Sequence, residues 1–346
     1  MKLKIALIGL GFSGTRFIRC LNYFSESHNS IEIIGISDLK KPVNKLFNDY
    51  PFFSSIEELL KVEFDVLIVT TNDNTHENIF REISKLKKNI DLISEKPLVS
   101  TLKYCNELDS FFKNRIVFVN YVERFSPIIL KLQNFLHKQN LIFKKGSFLW
   151  GKDRFLDYRK TMGVYADITH PLDLLTFILK PTNTSVKVIN YTYFPITQLD
   201  VPVVDSIDVL IKLDKCNITG HSSFTWLERI RKLILYADDK NDPNIGYQIK
   251  LSFDNVLWDY DKIQILKYNK CNYTKKIIMN IEYPNNNYIS KLPELNKVYA
   301  FLSTALKCIY EKKRTQEYLC DYNQAKGNLF LLQKIMQQID GGTNDD

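Results

Sequence analysis

A few glycines, two carboxylates, one lysine and one histidine are the residues of this chain whose types and spacing could do chemistry. Gly9-Leu10-Gly11-Phe12-Ser13-Gly14 reads G-x-G-x-x-G. It follows an apolar run over residues 4–9 and opens a helically spaced run over residues 15–24. Gly9 permits a tight turn, Gly11 lets the backbone approach a pyrophosphate, and Gly14 lets helix and strand pack closely. The helix start then offers free N–H groups and partial positive charge to phosphates. A glycine-rich turn without a ligand is the plain alternative. Asp38 follows the second strand-like run. A carboxylate there accepts hydrogen bonds from both adenosine ribose hydroxyls and repels a 2′-phosphate, so NAD is preferred. Lys40 and Lys41 come next and could pair with that phosphate, which leaves NADP possible.

Ser94-Glu95-Lys96-Pro97 ends another strand-like run. In an open parallel sheet ligands bind beyond the carboxyl ends of strands. A lysine there could reach a nicotinamide and a substrate hydroxyl, and its ammonium could stabilise a developing alkoxide. Buried beside a ligand, it could move a proton. Standing alone, a Lys-Pro pair is an ordinary turn. Further on, Asp167 and His170 stand three apart. An imidazole, with a pKa of about 6.5, suits proton transfer with an alcohol at neutral pH. Val164, Ile168, Leu172, Leu175 and Leu179 recur at helical spacing and face a core, leaving Asp167 and His170 on another face. Pro171 is best tolerated in a first turn, which places the helix start near Thr169 as N-cap and Asp167 just before it. The plain alternative is a histidine satisfied between domains. His76 is either near a cofactor or a solvated loop residue. Arg124 could bind substrate, hold the domain junction or pair with neighbours of Glu123. Tyr121 could stack near a nicotinamide.

The elements that must position these residues change character along the chain. Residues 4–9, 31–37, 65–70, 90–94 and 116–120 read as strands. Residues 15–24, 56–60, 78–86 and 102–112 read as helices. That alternation predicts a parallel sheet covered on both faces. After residues 120–127 the pattern shifts. Helices are expected over 127–138 and near 169–180. Strands are expected over 185–194, 204–213, 216–226, 230–237, 247–253 and 261–268, a large, mostly antiparallel open sheet. Helices return at 291–312 and 322–338. The expected division is 1–123, a Rossmann dinucleotide-binding domain with a doubly wound sheet; 124–340, an α/β domain for substrate binding and oligomerisation; and 341–346, a polar tail that frays.

Composition narrows the class. The chain has 346 residues, 45% hydrophobic and 25% charged, in the range of a globular protein and not of a disordered or coiled-coil one. With 47 basic and 39 acidic residues the net charge is +8, which does not demand nucleic acid. The aromatic residues are spread without a nucleic-acid motif and read as core. The short basic clusters Lys85/Lys87/Lys88, Lys275/Lys276 and Lys312/Lys313/Arg314 read as solvated faces, with a phosphate or partner contact as the alternative. No apolar run approaches the roughly 20 residues of a membrane helix. Residues 1–11 lack a small-residue cleavage site and end in a glycine turn, so they read as a strand and not a secretory signal. Cys20, Cys105, Cys216, Cys271, Cys308 and Cys320 form no C-x-x-C pair and no zinc spacing. They read as reduced thiols in a cytoplasmic protein without a metal.

Together these features resemble the Gfo/Idh/MocA family of NAD(P)-dependent oxidoreductases. The E-K-P of Glu95-Lys96-Pro97 after a Rossmann strand is the most specific mark. Thr70-Thr71-Asn72-Asp73-Asn74-Thr75-His76 is similar to the family's loop after the fourth strand. Tyr121-Val122-Glu123-Arg124-Phe125-Ser126-Pro127 is similar to its V-E-R-F-x-P opening of the second domain. Gly163 to Asp173 resembles its G-V-x-x-D-x-x-H-x-x-D segment. The resemblance implies a catalytic Lys96, an acid/base His170 and an accompanying carboxylate at Asp167. It implies cofactor contacts from Gly9, Gly11, Phe12, Ser13, Gly14, Asp38, Thr70, Thr71, Asn72, His76, Glu95 and Lys96. It implies substrate contacts from Lys96, Tyr121, Arg124, Asp167 and His170. Asp167 and His170 stand one position closer than in the commonest family spacing, which leaves the role of Asp167 open. The activity implied is hydride transfer between a nicotinamide and a secondary alcohol or ketone of a sugar, amino sugar or nucleotide sugar. A homodimer or homotetramer through the second sheet is also implied, with no membrane and no nucleic-acid partner. A non-catalytic NAD-binding sensor or scaffold, and an imine reductase or redox-cycling lyase on the same scaffold, stay open as alternatives.

Overall fold

The computed structural model describes residues 2–85, 89–154, 161–194, 203–254, 260–284, 292 and 294–341. The chain divides into two compact units: Met1–Val122 with Ile289–Leu329, and Glu123–Tyr288 with Phe330–Asp346. These units are discontinuous, unlike the contiguous ranges 1–123 and 124–340 read from the sequence. The reason lies within the first unit, where late segments complete its sheet and cover its first helix.

The first unit holds β1 (Leu3–Ile8), β2 (Ile31–Ser37), β3 (Phe52–Phe53), β4 (Val66–Val69), β5 (Asp91–Glu95), β6 (Val117–Asn120) and the late β15 (Cys320–Asp321). Their order is β15-β6-β5-β4-β1-β2-β3. All pairs are parallel except β15 with β6. Strands buried on both faces need continuous apolar runs, and Val66-Leu67-Ile68-Val69 is fully buried. The helices are α1 (Phe12–His28), α2 (Ile56–Leu59), α3 (His76–Ser84), α4 (Leu102–Glu107), α5 (Asp109–Lys113) and α8 (Asn296–Tyr310). Ser55 and Thr101 cap α2 and α4 by accepting from Glu58 and Tyr104 amides. α8 covers α1, with Phe301 edge-on to Phe17 at 6.5 Å and Tyr299 edge-on to Tyr23 at 5.2 Å. The Tyr322 hydroxyl donates to Asp109 at 2.7 Å, and Lys326 reaches the same carboxylate at 2.6 Å. Lys113, at 2.7 Å, and then Lys326 and Tyr322 hold the Asp109 carboxyl well below the usual carboxylate range. The basic run Lys312-Lys313-Arg314 meets Asp91, Glu311 and the carbonyls of Lys113 and Asn114.

The second unit carries α6 (Pro127–Lys138), β7 (Leu141–Asp153), α7 (Val164–Leu179), β8 (Thr184–Phe194), β9 (Val203–Leu213), β10 (Cys216–Ser223), β11 (Thr225–Asp239), β12 (Ile245–Asp254), β13 (Tyr260–Asn269) and β14 (Lys275–Pro284). A final helix, α9 (Tyr322–Asp340), begins in the first unit and ends in the second. The eight strands form one sheet, ordered β14-β13-β12-β11-β7-β10-β9-β8. Every pair is antiparallel except β7 with β10. Burial alternates along β9, β12 and β13, as it must when one face is covered. The fold is therefore α/β: a doubly wound parallel sheet, then a large, mostly antiparallel one.

Several elements depart from expectation: the two-residue strands β3 and β15 are additional, and the helix expected over 102–112 is divided into α4 and α5. β7 and β14 were not expected as strands. β7 carries Lys144-Lys145-Gly146 in its middle, and β14 is an edge strand with residues exposed or half-buried throughout. The run 216–226 breaks after Ser223, and β11 runs on to Asp239 as one strand. α7 starts at Val164 behind Gly163, so Thr169 is not its N-cap; the Thr169 hydroxyl donates to the Ala166 carbonyl inside the helix. Pro171 therefore lies within α7, where its missing N–H leaves the Asp167 carbonyl without the usual helical donor. The helix expected over 291–312 runs over α8, with residues 291 and 293 outside the described residues. Residues 342–346 of the expected tail, and residue 86 of the helix expected over 78–86, are also outside them.

Candidate functional site

The order of the first sheet reverses at β1, whose neighbours are β4 and β2. Such a switch point opens a crevice at the carboxyl edge. Register lines up Ser37, Ile8, Val69, Ser94 and Val119 across five strands. The next row is therefore Asp38, Gly9, Thr70, Glu95 and Asn120. Four of these five are residues the sequence nominated for cofactor contact.

The glycine turn is built tightly. Gly9 has φ +93°, and a Cβ there would meet the Thr71 amide nitrogen at 2.6 Å. A Cβ on Gly14 would lie 1.9 Å from the Gly9 carbonyl oxygen, so strand and helix can approach only with glycine at this position. Gly14→Ala is expected to lower NADH affinity roughly 10- to 100-fold, the equivalent of an overpacking cost of about 1–3 kcal/mol. Calorimetric titration checks this, and an unchanged affinity would remove the turn from the binding site. Gly11 differs, because a Cβ on it would meet nothing within 4 Å. Gly11 is the N-cap of α1 and supplies no side-chain cap, so the first-turn amides have no side-chain acceptor there. Phe12 is exposed, with the Arg16 guanidinium 5.5 Å from its ring. Open space over Gly11 and uncapped amides fit a dinucleotide pyrophosphate.

The side chains around the turn lock it. The Thr70 hydroxyl donates to the Gly9 carbonyl at 2.6 Å. Asp38 accepts from the Leu10 amide at 2.7 Å and from the Leu39 amide at 2.7 Å. Asp38, expected from the sequence to meet a ribose, thus steadies the turn as well. The Thr71 hydroxyl accepts from Thr75, whose hydroxyl also reaches the carbonyl of Asn72 at 2.7 Å across the short turn Asp73–Thr75. Glu95 accepts from the Ser13 hydroxyl in the first turn of α1 and from the Asn120 side-chain amide at 3.0 Å. Lys96 follows Glu95, is half-buried, and enters a cis peptide bond to Pro97. His76 is fully buried, with Nδ1 2.8 Å from the Pro97 carbonyl oxygen and Nε2 3.2 Å from that of Thr71. It bridges the Lys-Pro turn and the loop after β4, and is not a solvated loop residue. Tyr121 is buried beyond β6.

The second unit gathers Asp167 and His170 on α7, 2% and 7% exposed. Asp167 accepts from Lys152 of β7 at 2.6 Å. His170 stacks on Trp150, with centroids 5.9 Å apart and planes at 22°. Arg124 makes a two-pronged pair with Asp173, Nε to Oδ2 at 2.8 Å and Nη2 to Oδ1 at 2.6 Å. Its charge is thus committed to α7, and the guanidinium also covers the Phe177 ring at 4.7 Å. Glu123 pairs with Arg231, which also donates to Asp254 at 2.9 Å. Burial works against the Arg231 charge, but Glu123, Asp254, Asp167 and Asp261 outweigh it and raise its pKa. Arg229 also donates to Asp254, and burial lowers its pKa. Sequence reasoning missed Trp150 and Lys152 because β7 went unread; the alternation of Phe148, Trp150 and Lys152 along it is the available signal.

No disulfide links the six cysteines, and burial pushes the Cys20 thiol up to about 12. Among the described residues no cluster of three or more His, Cys, Asp or Glu side chains could hold a metal, and no helix is long and apolar enough to cross a membrane.

Residues 3–121 match a family model described as an oxidoreductase family with an NAD-binding Rossmann fold, GFO_IDH_MocA. No curated protein matches the chain. Among solved structures, levoglucosan dehydrogenase in complex with NADH and L-sorbose is 12% identical, with 98% of this chain and 97% of that one covered and a TM-score of 0.77. UDP-N-acetylglucosamine 3-dehydrogenase GnnA from Acidithiobacillus ferrooxidans is 14% identical, covers 99% of both chains and has a TM-score of 0.69. An oxidoreductase from Agrobacterium radiobacter in complex with NAD+, L-tartaric acid and magnesium is 15% identical, with 99% and 97% covered and a TM-score of 0.71. At these identities the likeness is one of fold. Residues 3–121 are thus similar to an oxidoreductase family with an NAD-binding Rossmann fold, and over its whole length the chain shares the fold of these dehydrogenases and oxidoreductases.

Proposed function

We propose that this oxidoreductase interconverts a secondary alcohol and a ketone on a sugar, amino sugar or nucleotide sugar. The observation that supports the reading best is the carboxyl-edge row. Glu95 ties Ser13 of the glycine turn to Asn120 and places Lys96 directly after it. The first unit acts as the dinucleotide-binding domain and the second as the substrate-binding domain.

Gly9, Gly11, Phe12, Ser13 and Gly14 would hold the pyrophosphate, and Asp38 the ribose. The loop from Thr70 through Asn72, braced by the buried His76, would hold the nicotinamide end together with Glu95 and Lys96. A bound nicotinamide dinucleotide supplies the hydride acceptor or donor. Lys96 polarises the reacting oxygen through its ammonium. His170 takes the hydroxyl proton on oxidation and returns it on reduction. Asp167, held by Lys152, sets the charge beside that imidazole. Arg124 holds Asp173 and so fixes α7. Two of the neighbours are dehydrogenases by name, one with NADH and L-sorbose bound, which supports a sugar-like substrate. A cytoplasmic homo-oligomer is part of the same reading.

The test is product analysis after turnover with a panel of sugars and nucleotide sugars. An oxidised sugar formed with stoichiometric NADH supports the reading. A reduced imine, or an eliminated product with no net change in cofactor, would replace it. Cofactor choice has its own check. Asp38→Ala is expected to narrow the NADH/NADPH affinity ratio about tenfold or more, since a carboxylate beside a 2′-phosphate costs at least ~1.4 kcal/mol. Asp38→Asn keeps an acceptor for the Leu10 amide and isolates the charge effect. A ratio unchanged in both variants would reject Asp38 as the selector.

A further inference from the structure

We infer that Trp150 is a positioning residue for His170, its indole fixing the plane of the imidazole that carries the proton. The inference rests on His170 acting as the acid/base of the reaction proposed above.

An imidazole has little intrinsic preference for its own plane, because rotation about its last side-chain bond is broad and roughly two-fold. Something outside the ring must choose the orientation. Trp150 is placed to do so. It sits in the middle of the second sheet on β7 and is fully buried. Its ring lies 5.9 Å from that of His170 with the planes 22° apart.

The indole is itself held. The Arg231 guanidinium carbon is 5.0 Å from its centroid, and Phe253 is 5.9 Å away at 48°. Arg231 is pinned in turn by Glu123 and Asp254. The next residue, Gly151, presents its bare Cα to the Trp226 ring, where a Cβ would come within 2.9 Å. The backbone at 150–151 is thus packed from the other side of the sheet. The Trp150 Nε1 hydrogen has no acceptor among the described residues, so ring contacts and the Arg231 cation set the indole plane. The charged groups of this layer include Asp167 with Lys152, Asp173 with Arg124, Glu123 and Asp254 with Arg229 and Arg231, and Asp261, which accepts from the Ser126 hydroxyl and the Asp254 amide. The stack keeps the imidazole in register with them.

Two measurements on the full chain test this. In a Trp226→Phe/Trp258→Phe background Trp150 is the remaining indole. A protonated imidazole stacked on an indole quenches its emission. Fluorescence is therefore expected to fall as His170 protonates, and this titration is expected to vanish in His170→Asn. The second measurement is kinetic. Trp150→Leu is expected to lower kcat about 10- to 100-fold, the scale of a catalytic group misplaced by ~1 Å, with KM and NADH affinity changed much less. Trp150→Phe keeps a ring in the stack and is expected to recover most of kcat.

Emission that titrates identically with asparagine at 170 overturns the proposal, and this arm stands even if Trp150→Leu fails to fold. So does wild-type turnover in Trp150→Leu, or a Trp150→Phe variant as impaired as Trp150→Leu. Wild-type turnover in His170→Asn would remove the acid/base reading and the proposal together. An inactive His170→Asn beside an unaffected Trp150→Leu would remove the proposal alone.

Discussion

Lys96→Met is expected to lower turnover about 10²- to 10⁴-fold, the range associated with losing a positioned acid–base group, while NADH affinity stays within about threefold. The separation follows from how the residue is mounted. The glycine turn is held by Thr70, Asp38 and Glu95, none of which needs the Lys96 ammonium. The Lys-Pro turn is held through the Pro97 carbonyl by His76. Methionine keeps the length and the apolar stem, so the loop retains its packing and loses only the charge. Steady-state kinetics on a substrate found by screening, beside calorimetric NADH titration, separates the two effects. Turnover at the wild-type rate would sink the assignment. A matched loss of binding and turnover would recast Lys96 as a cofactor anchor.

The largest expected effect on stability comes from Asp173. It and Arg124 are 1% and 2% exposed at their side chains. Asp173→Ala would leave a buried guanidinium without its two-pronged partner. Breaking such a pair costs roughly 3–5 kcal/mol, much of it the desolvation of the charge left behind. For a unit of this size that is a fall in melting temperature of about 6–20 °C. The partner replacement decides the cause. Arg124→Leu combined with Asp173→Leu removes both charges and is expected to recover a large part of the loss. A single variant within about 1 kcal/mol of wild type, by urea unfolding, would show that the pair carries little.

The five longer strands of the first sheet could be read from the chain because they form apolar runs in its interior, whereas β3 and β15, two residues each, are too short to leave a pattern. Val66 to Val69 has no polar residue to blur the signal, and the G-x-G-x-x-G lies where such a strand ends. The E-K-P segment was legible for the same reason. The second unit was less so. β7 is the strand on which Trp150 and Lys152 stand, yet it holds three lysines and two glycines, since only part of its length faces the core. β14 lies at an edge, where packing imposes little pattern. Pro171 misled the reading of α7 because proline in a first turn is the cheaper choice for an isolated helix. Here the whole of Val164–Leu175 is buried, and tertiary packing keeps the earlier turn helical. Arg124 was nominated as a substrate contact, and only the structure could show its guanidinium committed to a residue 49 positions away. The same holds for Asp38, whose bond to Leu10 no spacing could foretell.

The discontinuity of the first unit has a consequence for how the protein is made. The residues that line the glycine turn leave the ribosome first, but α8, which packs on Phe17 and Tyr23 of α1, emerges only after the entire eight-stranded sheet has been synthesised. At about 5–20 residues per second, that interval lasts on the order of ten seconds or more. Through it the nascent nucleotide-binding half holds an uncovered apolar helix face and an unpaired β6 edge. Completion of the first unit is therefore a late event in biosynthesis, and a chain interrupted before residue 296 would carry every residue proposed above to contact a dinucleotide without the helix that covers α1.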